Sequence, residues 1–89
     1  MPELTLTIQN KVGLHARPAS LFVREASRFQ STITVLHGAK QANAKSILNV
    51  LSLGVNQGAQ ITLRAEGPDA EAALHSLRAL VESNFGETE

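Results

Sequence analysis

Cysteine is absent from this 89-residue chain, and so are tryptophan and tyrosine. Without cysteine there are no disulfides and no thiolate metal sites. Three Phe are the only aromatic residues, so the core must be aliphatic. Nor is there a set of exposed rings on which RNA bases stack. An excess of charge of one sign is missing too. Lys and Arg total 8 against 8 Asp and Glu, for a formal net charge of +0, which argues against a domain that holds nucleic acid by bulk charge. His15, His37 and His75 are too widely spaced to suggest a metal site, and neither metal nor cofactor is expected. No apolar run approaches the length of a membrane span, and nothing resembles a signal peptide. The expected location is the cytoplasm, with no membrane insertion. No internal repeat or low-complexity segment is visible. The length predicts one domain over residues 1–89, with loose ends at Met1-Pro2 and at Gly86-Glu87-Thr88-Glu89.

What is present is a regular alternation of patterns. Leu4-Thr5-Leu6-Thr7-Ile8 has period two and reads as a strand with Leu4, Leu6 and Ile8 on the core face. A helix is predicted from about Ala16 to Ser27, with Ala19, Phe22, Val23, Ala26 and Phe29 as its apolar stripe. Arg24, Glu25 and Arg28 point to water, and Leu21 falls off the stripe. Thr32-Ile33-Thr34-Val35-Leu36 is rich in β-branched residues and reads as a second strand. His37-Gly38 reads as an exposed turn, and Lys40 to Ala44 as an edge strand pairing back.

Ser46 to Gly54 predicts a short helix, with Ser46 as N-cap and Gly54 at the C-terminal cap. Its core residues are read as Ile47 and Leu51, with Val50 less certain, leaving Leu48 outward. Gln60 to Ala65 alternates again, with Ile61, Leu63 and Ala65 inward. Asp69 is read as the cap of a last helix whose stripe is Ala70, Ala73, Leu74, Leu77, Leu80 and Val81, with Phe85 folding back and His75 solvated. The order is β-α-β-β-α-β-α. This predicts an α+β fold: a four-stranded antiparallel sheet covered on one face by three helices, an open-faced sandwich. Order alone leaves a ferredoxin-like strand arrangement open.

The chemistry concentrates in Gly13-Leu14-His15-Ala16-Arg17-Pro18-Ala19-Ser20. Pro18 suits a first helical turn and disfavours helical geometry at Arg17, so a helix begins between Ala16 and Pro18. A helix start offers unpaired N–H groups and the positive end of the macrodipole, which together favour phosphate. The Arg17 guanidinium fits phosphate oxygens. His15 supplies a nucleophilic ring nitrogen at neutral pH. A lone loop histidine is more often idle, but the Gly-His-Arg-Pro combination at a helix start favours a phosphoryl acceptor.

Over nearly its whole length the chain resembles the HPr family, the histidine-containing phosphocarriers of the bacterial phosphoenolpyruvate-dependent sugar phosphotransferase system. Two motifs carry the likeness. Gly13-Leu14-His15-Ala16-Arg17-Pro18-Ala19 resembles the family's active-site signature. Lys45-Ser46-Ile47-Leu48-Asn49-Val50-Leu51-Ser52-Leu53-Gly54 resembles its regulatory-serine segment. The resemblance implies that His15 is phosphorylated on Nδ1 by phospho-enzyme I and passes the group to a histidine of an enzyme IIA domain. It also implies that Arg17 steadies the phosphoryl group and that Ser46 is a target of HPr kinase/phosphorylase where the host has one, with a transcription regulator as a further partner. It implies the strand order 1-4-2-3. Leu48 stands where some relatives carry methionine.

A partner surface is expected from His15, Arg17, Ser20, Leu21, Arg24, Leu48, Leu51, Ser52 and Gln57, apolar groups rimmed by basic ones for brief docking to acidic partners. No stable oligomer is expected. The rivals are a nitrogen-related or dihydroxyacetone-kinase relay, or a mainly regulatory HPr. A ferredoxin-like ligand or RNA module would need aromatics or a basic stripe, and a metal chaperone would need Cys or clustered His. The chain has none of these.

Overall fold

The computed structural model describes residues 2–86. The elements are β1 (Glu3–Thr7), α1 (Ala16–Ala26), β2 (Thr32–His37), β3 (Lys40–Asn43), α2 (Ile47–Ser52), β4 (Gln60–Glu66) and α3 (Ala70–Glu82), followed by a short 3-10 turn, Asn84–Gly86. The sheet order is β1-β4-β2-β3, with every neighbouring pair antiparallel. This is the order implied by the resemblance, and it excludes the ferredoxin-like alternative.

Register explains why one face is apolar. Leu4 lies opposite Leu63, Leu63 opposite Val35, and Val35 opposite Ala42, which makes one row across all four strands. Leu6 opposite Ile61 and Ile33 opposite Ala65 extend it. Since strand side chains alternate between faces, the intervening row carries Thr5, Thr62, Leu36 and Gln41 on the open side. The three helices cover the apolar face, making the open-faced sandwich expected from the sequence. Phe22, Ala26, Leu77 and Val81 are buried against Ile33, Ile61 and Leu63 in one core.

Several expectations need correction. In α2 the buried residues are Val50 (0% exposed) and, just past the helix, Leu53, whereas Ile47 and Leu51 are 36% and 38% exposed. Six residues are fewer than two turns, so periodicity could not fix the helix's rotation. Leu48 does point outward, at 76% exposed. His37 is a strand residue paired with Lys40 across a two-residue turn. It is half-buried, with its ring Nδ1 hydrogen-bonded to the Leu53 carbonyl at 3.2 Å. Glu25 does not face open water. It is half-buried and accepts hydrogen bonds from Ser76 Oγ on α3 and from Arg28 Nη1. The Ser76 hydroxyl, helped by Arg28, holds its carboxyl below the usual range.

Asp69 occupies the N-cap position of α3 without making a side-chain cap bond. Its carboxylate instead accepts from Gln30 N–H at 2.9 Å, Ser31 N–H at 2.9 Å and Ser31 Oγ at 2.5 Å. The Ser31 hydroxyl is the leading reason that its carboxyl is held below the usual range. Val23, Phe29 and Leu80 lean on the core half-buried. Phe85 does fold back and is buried, at φ 58°. Among the expected loose ends, Pro2 accepts a hydrogen bond from Ala65 N–H at 3.1 Å. Gly86 closes the final turn onto Ser83 at 3.0 Å. Met1 and residues 87–89 lie outside the described residues.

Candidate functional site

His15 is the N-cap residue of α1, with φ −85° and ψ −166°. Its backbone carbonyl accepts the first helical bond, from Ala19 N–H at 2.8 Å. The N–H groups of Ala16 and Arg17 therefore have no acceptor within the helix, and Pro18 has no N–H to satisfy. The extended backbone at His15 leaves its side chain at the positive end of the helix, and both His15 and Arg17 are exposed. Pro18 and Ala19, by contrast, are buried, so the first turn is anchored by its apolar residues while His15 and Arg17 face solvent.

Two loops hold this turn in place. Gly13 has φ +62°, and a Cβ there would meet the Val55 carbonyl oxygen at 2.4 Å, so the chain passes closer to the 55–58 loop than any side chain permits. Leu14 N–H donates to the Val55 carbonyl at 3.0 Å, and Gly58 N–H donates to the Ile8 carbonyl at 2.7 Å. Gln57 Nε2 donates to the Gln9 carbonyl at 3.1 Å. Asn10 Nδ2 bridges the turn from inside, donating to the Gly13 carbonyl at 2.9 Å.

From this second loop Asn56 reaches the histidine, its Oδ1 lying 3.3 Å from His15 Nε2. An amide oxygen only accepts, so this contact is a hydrogen bond in the tautomer that carries the hydrogen on Nε2 and the lone pair on Nδ1. Sequence reading passed over Asn56, because the contact spans 41 positions and no local pattern announces it. Val12, three positions before His15, is an exposed large hydrophobic residue, at 46%.

The other expected residues divide into two helical rows. Arg17, Ser20, Leu21 and Arg24 share one face of α1 at spacings of three and four. All are exposed except Leu21, which is half-buried against the core. On α2, Leu48, Leu51 and Ser52 are exposed at the same spacing. The Ser52 hydroxyl donates to the Asn49 carbonyl at 2.6 Å. α1 packs against α2. Ser46 caps α2, its Oγ accepting from Asn49 N–H at 3.4 Å. Gln57 is exposed on the strapping loop.

Charge is distributed unevenly despite the neutral total. No Asp or Glu occurs between Gln9 and Arg24 or between His37 and Gly58, stretches that carry Lys11, Arg17, Arg24, Lys40 and Lys45. The described ion pairs of arginine, Arg28–Glu25, Arg64–Glu3 and Arg78–Glu82, involve neither Arg17 nor Arg24. That asymmetry is legible in the sequence and suits an acidic partner. Among the described residues there is no cluster of His, Cys, Asp or Glu able to hold a metal ion. Nor is any of their helices long and apolar enough to cross a membrane.

His15 and Arg17 thus stand exposed at a helix start, Arg17 outside the described ion pairs, and comparison with known proteins gives the chain a family. Residues 2–83 match the family model described as "PTS HPr component phosphorylation site". The phosphocarrier protein HPr of Mycoplasma capricolum is 45% identical over 78 residues, 88% of each chain. The phosphocarrier protein NPr of Shewanella violacea is 46% identical, over 96% of this chain and 93% of that one. The crystal structure of HPr-C-His from Thermoanaerobacter tengcongensis matches with a TM-score of 0.97 at 54% identity, covering 100% of both chains. The chain belongs to the HPr family, whose members are phosphocarrier proteins and not turnover enzymes.

Proposed function

We propose that the chain carries a phosphoryl group on Nδ1 of His15. It takes the group from enzyme I charged by phosphoenolpyruvate and passes it to a histidine on an enzyme IIA domain. It does so as a single-domain, monomeric carrier in the cytoplasm. The observation that supports this most is the exposed imidazole of His15 at the N-cap position of α1, two residues before Arg17, in a chain matched by its family's phosphorylation-site model. A carrier must hold its group firmly enough for transit and loosely enough for release. One helix end and one guanidinium, both in solvent, make a moderate clamp, whereas burial among several cations would over-stabilise the phosphoryl form. Transfer between two imidazoles needs little beyond in-line positioning.

The docking surface is the α1 row of Arg17, Ser20, Leu21 and Arg24 with Leu48, Leu51, Ser52 and Gln57, meeting acidic partners briefly. Ser46 is the regulatory site, a target of HPr kinase/phosphorylase in a host that has one. Phosphate at a helix N-terminus is tolerated electrostatically, so the fold survives while roughly −1.5 to −2 charges appear beside the docking surface.

The test is label transfer from phosphoenolpyruvate through purified enzyme I to wild type and His15→Ala. Acid-labile, base-stable label on wild type alone supports the reading. Label on both places the acceptor elsewhere. Label on neither, with active enzyme I, sinks the enzyme I step. A second reading, service in a relay other than sugar transport, is favoured by the near-equal identity to NPr and to HPr. Transfer from the carrier to one enzyme IIA and not another separates the two.

A further inference from the structure

We infer that Asn56 is a positioning residue for phosphoryl transfer, holding His15 in the tautomer that presents an unprotonated Nδ1. This rests on the reading of His15 as the acceptor. Three observations carry it. Asn56 Oδ1 lies 3.3 Å from His15 Nε2 and, as an amide oxygen, requires the hydrogen to be on Nε2. The amide is neutral, so it orients the ring without placing a charge beside it. And Asn56 is itself fixed: its carbonyl accepts from Ala59 N–H at 3.1 Å, while the flanking Val55 carbonyl and Gln57 amide bond to the 9–14 loop that carries His15.

The chemistry explains why such a residue is useful. The Nδ1 lone pair forms the new N–P bond. The donor's P–N bond breaks, and its electron pair returns to the donor nitrogen. No proton moves on Nε2, but the ring of His15 acquires positive character as the bond forms. The Nε2–H becomes a stronger donor, so its bond to Asn56 Oδ1 strengthens from ground state to transition state and favours the transfer itself. Because the partner is neutral, the same bond does not trap the phosphorylated ring.

The experiment compares wild type, Asn56→Ala and Asn56→Asp by 15N NMR of the neutral imidazole. It also follows the pH dependence of His15 phosphorylation by inorganic phosphoramidate, a donor that involves no docking protein. Asn56→Ala is expected to show an increased share of the Nδ1–H tautomer and phosphorylation about three- to tenfold slower, the size of one exposed hydrogen bond. Asn56→Asp keeps an acceptor oxygen and adds charge. It is expected to retain the wild-type tautomer, with the pH profile displaced upward and the wild-type rate recovered on its alkaline side. Unchanged 15N shifts and rate in Asn56→Ala overturn the inference. So does a slower rate with unchanged tautomers and no recovery in Asn56→Asp, which is the signature of a loop disturbed by any substitution. Label absent from His15 of wild type overturns the carrier reading itself, whereas wild-type label that persists undiminished in Asn56→Ala removes only the role of Asn56.

Discussion

Gly13 runs against the backbone of Val55 so closely that a Cβ built on it would come within 2.4 Å of the Val55 carbonyl oxygen. Asn56 Cα would be 2.7 Å away, and the backbone at Gly13 is already at φ +62°. Neither neighbour is a flexible side-chain end, so the loop that carries His15 must move to admit a methyl group. Gly13→Ala is expected to cost about 3 kcal/mol, part from positive φ and part from parting the loops. Gly38 is the control. It has φ +60° with nothing within 4 Å of its Cβ position, so Gly38→Ala bears only the conformational term, about 1 kcal/mol. Urea denaturation of both variants checks the difference. Equal costs would mean that the close approach to Val55 contributes nothing.

α2 sets a fully buried residue and a strongly exposed one within six residues. Val50→Ala removes fully buried methyl groups and is expected to cost about 2 kcal/mol. Leu48→Ala trims a side chain that is 76% exposed and is expected to change stability by less than about 0.5 kcal/mol. If Leu48 contacts enzyme I, the same variant raises KM for phosphorylation about three- to tenfold, the size of a modest interface contact. Its phosphorylation by a small-molecule donor stays unchanged. Chemical denaturation and paired kinetics give the two readouts. A Leu48→Ala carrier with wild-type KM removes that leucine from the docking surface.

The features legible in the sequence are those whose causes are local. The strands announce themselves by alternation, since a pleated chain buries every second residue. The start of α1 follows from Pro18, which fixes its own φ and restricts Arg17 before it. The phase of α2 was not legible because a helix of under two turns fits more than one stripe, and what rotates it is the packing of Val50 and Leu53 into the core. Asp69 was read correctly in position and wrongly in partner. Its local N–H groups lost to donors 38 residues away in the α1–β2 connection. Asn56 was invisible for the same reason, since its significance exists only once two loops are strapped together.

Ser46 is the N-cap of α2, and its bond to Asn49 N–H is long at 3.4 Å. Ser46→Ala is therefore expected near the low end for cap removal, about 0.5 kcal/mol. Asp caps as well as Ser and adds an anion where the helix favours one, so Ser46→Asp is expected to match wild-type stability within about 0.5 kcal/mol. Its effect is expected in docking. The basic stretches around the site suit an acidic partner, and a negative charge there is expected to slow phosphorylation by enzyme I about three- to tenfold at low salt, less as salt screens it. Stopped kinetics across an ionic-strength series check both parts. A Ser46→Asp carrier phosphorylated at the wild-type rate in low salt would remove repulsion as the regulatory mechanism.

The carboxylate of Asp69 ties the start of α3 to Gln30 and Ser31, and these hydrogen bonds, led by the Ser31 hydroxyl, hold its pKa below the usual range. A carboxylate with a depressed folded pKa binds its proton more readily in the unfolded chain. Its contribution to stability is therefore fully present above the unfolded pKa of about 4 and is lost as pH falls through the lower folded value. Asp69→Asn never carries the charge. The variant is expected to be less stable than wild type at pH 7, with a gap that narrows below about pH 4 and closes once wild-type Asp69 is protonated. Glu25 titrates in the same direction in both proteins, so the difference between wild type and variant isolates Asp69. Urea midpoints measured from pH 7 down to about pH 2.5 decide the matter. A gap that stays constant through the acid range would show that Asp69 acts by shape alone, through bonds that a neutral amide makes equally poorly at every pH.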